Sequence, residues 1–313
     1  MPPAPLPAAG MSWFWLALLS AAATSVVGIV DKIVVDRVLR DRWSFPFFIS
    51  LFLGLYAVGL LVVRGALGLF RIPPAPALAI ALLPGILQYL ASVLYTRALL
   101  RTDAATVAAI TQTAPLFSVI WGWLAFGEVF RPLGYVGIVL SVACCALLSM
   151  EQGQRPRRAL NPLLAIIVGS AVLRSLGDLF VKVTLGGQDY WNTFGLSRAA
   201  LVPITLVLLA HPPHRQLIGR SLRARGAVLL GGMAALELLA IVPLVLSTMA
   251  YGRGPLALVS AVRYISPLFV LALTGLLNRV HAGLVPDRDG TNPFPRRAAL
   301  TVGILAGVVM LRA

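Results

Sequence analysis

The residues Thr96-Arg-Ala-Leu-Leu-Arg101-Thr-Asp-Ala-Ala105-Thr-Val-Ala-Ala-Ile-Thr111-Gln-Thr-Ala-Pro115-Leu-Phe-Ser return later in the chain without a gap. The second copy reads Thr248-Met-Ala250-Tyr-Gly-Arg253-Gly-Pro-Leu-Ala257-Leu-Val259-Ser-Ala261-Val-Arg263-Tyr-Ile-Ser-Pro267-Leu-Phe. Arg101/Arg253 and Pro115/Pro267 share one offset, 152. The identical pairs also include Thr96/Thr248, Ala98/Ala250, Ala105/Ala257, Val107/Val259, Ala109/Ala261, Leu116/Leu268 and Phe117/Phe269. A duplication of about half the chain decides how every other residue is read.

Composition names the solvent. Of 313 residues, 59% are hydrophobic and 12% charged, against about 25% charged in a soluble domain. Mean hydropathy is +0.89. Such a chain cannot present a water-compatible surface, so the bilayer is its medium. The net charge of +15 has no aromatic-interleaved basic patch to suit nucleic acid, so nucleic acid is not an expected partner. Lys and Arg in short loops that meet lipid headgroups account for it. The two Cys, Cys144 and Cys145, are neighbours in an apolar run, which excludes a disulfide framework. His211 and His214 flank a Pro-Pro turn without acidic or thiol company, so no metal site is expected. The first ten residues carry no Lys or Arg, and the apolar run that follows continues to Val30. This favours a retained first span over a cleaved leader.

Apolar runs of about 20 residues give ten spans, at 12–32, 46–63, 76–97, 104–125, 132–149, 161–182, 191–209, 226–250, 256–276 and 297–311. The repeated stretch is span four in the first half and span nine in the second. Counterparts are therefore five spans apart, and an odd number inverts the second copy in the membrane. The expected fold class is an all-α membrane protein of ten transmembrane helices arranged as two inverted five-helix repeats. Its parts are a tail 1–11, a repeat 12–150, a linker 151–160 and a repeat 161–313. Inverted repeats are a recurring transporter design, with the substrate held between the halves near the midplane. Basic residues divide 17 against 6 between the odd and even breaks, which puts the odd breaks in the cytoplasm and both termini outside.

Pro115 and Pro267 fall inside their spans. Each removes the hydrogen bond to the carbonyl four residues earlier, that of Thr111 or Arg263. Unpaired backbone at membrane depth is tolerated only against protein or a wet cavity. The candidate substrate-binding residues are therefore Thr111, Gln112, Arg263 and Tyr264. Glu237, near the middle of span eight, is an ionisable group in a place that costs about 2.5–3.5 kcal/mol on insertion scales. It is a candidate proton carrier or the ion-pair partner of Arg263. Arg174, Asp178 and Lys182 lie four apart on one face of span six, where Asp178 can pair with either neighbour. Lys182, like Lys32 at the end of span one, is expected to snorkel to the interface. Small residues recur every fourth position at Ser20, Thr24 and Gly28, at Gly137, Ser141, Cys145 and Ser149, and at Gly303 and Gly307. These suit close helix contact within the monomer or along a homodimer seam. The sequence holds no metal-ligand set, phosphate loop or nucleophile–base pair, so no catalytic residue, cofactor or metal is expected.

The ten-span pattern, the matching ends Ser25-Val-Val-Gly-Ile-Val-Asp-Lys32 and Ser175-Leu-Gly-Asp-Leu-Phe-Val-Lys182, and the run from Ala98 through Pro115 to Gly127-Glu128 resemble the EamA-type branch of the drug/metabolite transporter superfamily. The resemblance extends from about Met11 to Leu311. It implies a secondary transporter of small metabolites, amino-acid-like, drug-like or organic anions, with a central cavity. It also implies an inner-membrane location, alternating access with a proton as candidate coupling ion, and both termini in the cytoplasm, against the charge count. The Gly-Glu that closes span four is replaced in the second copy by Arg279-Val280. The competing class is a membrane enzyme or lipid-handling protein using the same cavity.

Overall fold

In the computed structural model the described residues are 12–37, 44–99, 101, 107, 110–150, 161–210, 212–280 and 294–312, and no strand occurs among them. The tail, the linker, His211, His281 and part of span four lie outside that set. The first half supplies α1 (Trp13–Arg37), α2 (Ser44–Ala66), α3 (Ala75–Leu99), α4 (Ala114–Phe126) and α5 (Pro132–Met150). The second supplies α6 (Asn161–Leu185), α7 (Tyr190–Ala199), α8 (Leu201–Ala210), α9 (Pro212–Arg253), α10 (Leu256–Arg263), α11 (Ser266–Val280) and α12 (Phe294–Arg312).

Among the described residues, 7 helical stretches are long and apolar enough to cross a membrane: Trp13–Val30, Pro46–Ala66, Ala75–Ala98, Leu163–Leu185, Tyr190–Ala210, Gly226–Arg253 and Leu256–Leu273. Ala114–Phe126 and Pro132–Leu147 are shorter apolar helices. Large apolar side chains such as Val62, Trp123, Leu124, Val207 and Val228 stay exposed, as a lipid solvent permits. The protein is a multi-pass, all-helical membrane protein.

Three expectations change in detail. Residues 212–225, read as part of a polar break, are helical and begin α9. Pro212 and Pro213 sit in its first turn, where a missing N–H costs nothing. Span seven divides at Ala200. Pro203 has no N–H to bond the carbonyl of Ala199, and the ladder resumes weakly as Ile204 N–H donates to Ala200 O at 3.5 Å. Span nine likewise divides into α10 and α11.

Helices of the first half pack on those of the second. α1 lies against α9, and α3 against α6. α4 meets α6, while α1 meets α10 and α11; α2 meets α9, while α3 meets α7. α2 also meets α7 and α8, α4 meets α10, and α5 meets α12 and, more lightly, α10 and α11. Apart from the contacts of α5 with α10 and α11, these pairings are unchanged when each span is exchanged for its counterpart five spans away. Hydrogen bonds repeat the exchange. Ser20 Oγ donates to Pro243 O at 2.8 Å, and Ser170 Oγ donates to Ala91 O at 3.0 Å. Ser20 corresponds to Ser170 at the offset of 150 that aligns Ser25–Lys32 with Ser175–Lys182, and Ala91 to Pro243 at the offset of 152.

The small-residue stripes of α5 and α12 face each other within the monomer. A Cβ on Gly303 would meet Cys144 Sγ at 2.6 Å, and one on Gly307 would meet Gly137 O at 2.9 Å. Gly28 has nothing within 4 Å, so the α1 stripe is not closed in the same way. Backbone oxygen cannot move aside as a flexible side chain can. Gly307→Ala is therefore expected to cost about 1–3 kcal/mol by overpacking, read as a lower melting temperature in detergent. An unchanged melt would mean that α12 is not seated on α5.

Candidate substrate site

The helix breaks occupy equivalent positions in the two copies. The first copy is helical at Ile110 and Thr111, turns at Gln112 and Thr113, and resumes at Ala114. The second is helical to Arg263, turns at Tyr264 and Ile265, and resumes at Ser266. Beyond each break the ladder restarts one residue after the proline. Leu116 N–H donates to Thr113 O at 2.9 Å, and Leu268 N–H to Ile265 O at 3.0 Å. The two broken helices touch directly where Ser118 Oγ and Ser260 Oγ lie 3.1 Å apart. Each is also held by the opposite half. Ser25 Oγ donates to Ser266 O at 2.9 Å, and Trp121 Nε1 donates to the equivalent serine, Ser175, at 3.0 Å.

Thr111 and Gln112 are both buried. The Thr111 hydroxyl donates to Val107 O at 2.7 Å, so its proton is used within its own helix. Gln112 Oε1 is buried without a hydrogen-bond partner. Tyr264 occupies the position equivalent to Gln112 and is within electrostatic reach of Asp178, Arg174 and Arg263.

The charges pair differently from the expectation. Arg263 Nη1 donates to both Asp178 oxygens at 3.2 Å and to the Tyr251 hydroxyl at 2.6 Å. Tyr251 in turn hydrogen-bonds Asp178. The expected partner of Arg263, Glu237, is buried on α9 at 3% exposure, but the carboxylate that meets Arg263 comes from α6. The three charges spaced along α6 do not pair with one another either. Arg174 stacks on Tyr95, 5.5 Å from the ring centroid, Asp178 takes Arg263, and Lys182 takes Glu128. A pair four apart on one helix gains only about 0.2–0.5 kcal/mol. Inside the membrane an unpaired charge is costly, so each charge takes the partner that the packed helices bring to it.

Lys182 therefore does not snorkel. It donates to the Glu128 carboxylate and to Gly254 O at 2.9 Å. Glu128 also accepts the Leu256 N–H on both oxygens at 2.9 Å. One carboxylate thus joins the end of α4, the end of α6 and the N-terminus of α10, where a helix favours negative charge. Two glycines make room for it. Gly127 caps α4 at φ 64, a left-handed conformation that suits glycine. A Cβ on Gly122 would meet Glu128 Oε2 at 2.6 Å. The sequence had shown Gly127-Glu128 only as a motif. A carboxylate directly behind a glycine cap, with Lys182 ending a repeat helix, was the available signal. On the same run of connections, Arg64 pairs with Asp189 at 2.6 Å and donates to Asn192 Oδ1 at 2.7 Å. Asp189 also caps α7 through Trp191 N–H and Asn192 N–H, both at 2.9 Å.

Among the described residues no group of three His, Cys, Asp or Glu is placed to hold a metal. What the geometry offers is a buried set of charged and aromatic groups beside two interrupted helices. Residues 11–150 match the model of the EamA-like transporter family. The match is to a family of membrane transporters and takes in α1 to α5. A solved crystal structure aligns over 95% of this chain and 98% of its own length, with a TM-score of 0.64 and 16% identity. That likeness speaks for the fold alone. None of the curated proteins matches the sequence. The family match covers the first of the two copies, residues 11–150.

Proposed function

We propose that this EamA-like protein is a secondary transporter that moves a small metabolite by alternating access between two inverted five-helix repeats. The observation that carries the reading is the pair of helix breaks, Gln112–Thr113 and Tyr264–Ile265, at one offset and on helices in mutual contact. The exchange-symmetric packing and the equivalent bonds of Ser20 and Ser170 support the same symmetry. A scaffold has no need of two equivalent interrupted helices. A transporter needs backbone that can line a path from either side.

Gln112, Arg263 and Tyr264 would face that path, with Thr111 offering its carbonyl at the break. Asp178 replaces Glu237 as the carboxylate that a proton would reach when Arg263 is drawn elsewhere, while Glu237 remains a second candidate within reach of Arg198. The Glu128 clamp would hold one face of the path shut. Its counterpart position carries Val280, so the opposite face cannot close in the same way. Location in a bacterial inner membrane, as monomer or homodimer, completes the reading.

The test is uptake and efflux of a metabolite panel in reconstituted vesicles, with and without a pH gradient. Counterflow of one compound is the expected result. Its absence for every compound, with product formed from one of them, would favour the enzyme reading.

A further inference from the structure

Three arginines, Arg174, Arg198 and Arg263, lie in the apolar helices beside two carboxylates, Asp178 and Glu237. Arg198 is within electrostatic reach of the other four. Even with both carboxylates ionised, the set carries one excess positive charge. An arginine stays protonated at any relevant pH, and an uncompensated charge inside a membrane calls for an anion. Arg263 is already closed by Asp178 and Tyr251. The other two are not closed in that way: Arg174 Nε and Arg198 Nε are both buried without a hydrogen-bond partner. A buried donor left unmade is costly, more so when charged, and these two sit on adjacent elements, α6 and α7, that pack together. The face of Arg174 is covered by Tyr95, which leaves its edge as the binding side.

We infer that Arg174 and Arg198 together form an anion-binding site for the carboxylate of an organic acid, and that this group fixes the substrate class. The placement rests on the transporter reading; the chemistry rests on the two unmade donors and the excess charge. A carboxylate accepts from arginine edges in a planar geometry that a neutral amide cannot match, so the site discriminates by charge.

The test uses the full-length protein in nanodiscs of zwitterionic lipid. Binding of benzoate, lactate and succinate is compared with that of benzamide, lactamide and succinamide. At least one carboxylate is expected to bind about ten-fold or more tightly than its amide. Arg174→Gln and Arg198→Gln are each expected to remove that preference. Arg198→Lys keeps the charge but lacks Nε, so it is expected to weaken the carboxylate and leave the amide unchanged; it serves where the Gln variants do not purify. Equal binding of every acid and its amide, or a preference untouched in the variants, would overturn the site. Loss of carboxylate binding when phosphatidylglycerol is added to the disc would reassign it to lipid headgroups and overturn the substrate claim. Carboxylate binding without exchange across a vesicle membrane would sink the transporter reading and leave the site standing. Exchange of a neutral compound, indifferent to both arginines, would do the reverse.

Discussion

Glu128→Gln is expected to destabilise the protein by about 3–5 kcal/mol, the usual cost of leaving one member of a buried ion pair alone. Glu128 and Lys182 are 10% and 17% exposed at their side chains, so solvent screening offers little relief. Glutamine still offers one oxygen to Leu256 N–H, but it returns no charge to Lys182, whose remaining acceptor is Gly254 O. Thermal unfolding in detergent reads the loss. Glu128→Gln with Lys182→Met should recover much of it, because no charge is then stranded. Gly122→Ala should produce a smaller loss by the same route, since its methyl group would come within 2.6 Å of Glu128 Oε2 and push the carboxylate aside. If the single and double variants melt alike, the clamp contributes nothing. If the Glu128 variant melts normally yet vesicles leak substrate, the clamp holds a face closed without holding the fold.

Asp178→Asn is expected to be as severe, and it also separates two roles. Asp178 is the counter-ion of Arg263 and a hydrogen-bond partner of Tyr251, so its neutralisation leaves an arginine without an anion among buried helices. As a purely structural pair, Asp178→Asn costs about 3–5 kcal/mol, and Asp178→Asn with Arg263→Gln restores both folding and gradient-driven accumulation. As a proton carrier, the double variant folds and exchanges substrate, but a pH gradient no longer drives accumulation. Exchange and accumulation measured on the same vesicles distinguish the two outcomes. Restored accumulation in the double variant would end the coupling proposal.

Much of this architecture is legible in the sequence because hydropathy and repetition are one-dimensional. Apolar runs mark the helices, and the offset of 152 pairs Pro115 with Pro267 and so the Thr111 and Arg263 carbonyls that lose their hydrogen bonds, one residue before the observed turns. Pro115 and Pro267 act through their own backbone, two to three residues from the turns they help to make, so their effect is local. The α9 extension through residues 212–225 was missed because its basic residues resemble a loop, whereas they also form a good helix when Pro212 and Pro213 start one.

Charge pairing was decided in three dimensions. The spacing of Arg174, Asp178 and Lys182 puts them along α6, but it offered Asp178 only its own helix neighbours and sent Lys182 to the interface. It could not say that Arg263, Glu128 and Tyr95 would be those partners, from α10, the α4 end and α3. Sequence by itself determined the solvent, the duplication and the places where helices break, since each follows from local covalent geometry or summed hydropathy. Only the tertiary structure decided which charges meet, because Coulomb energy depends on distance and surroundings. Residues 85 positions apart, Asp178 and Arg263, are closer there than any neighbour along the chain could have announced.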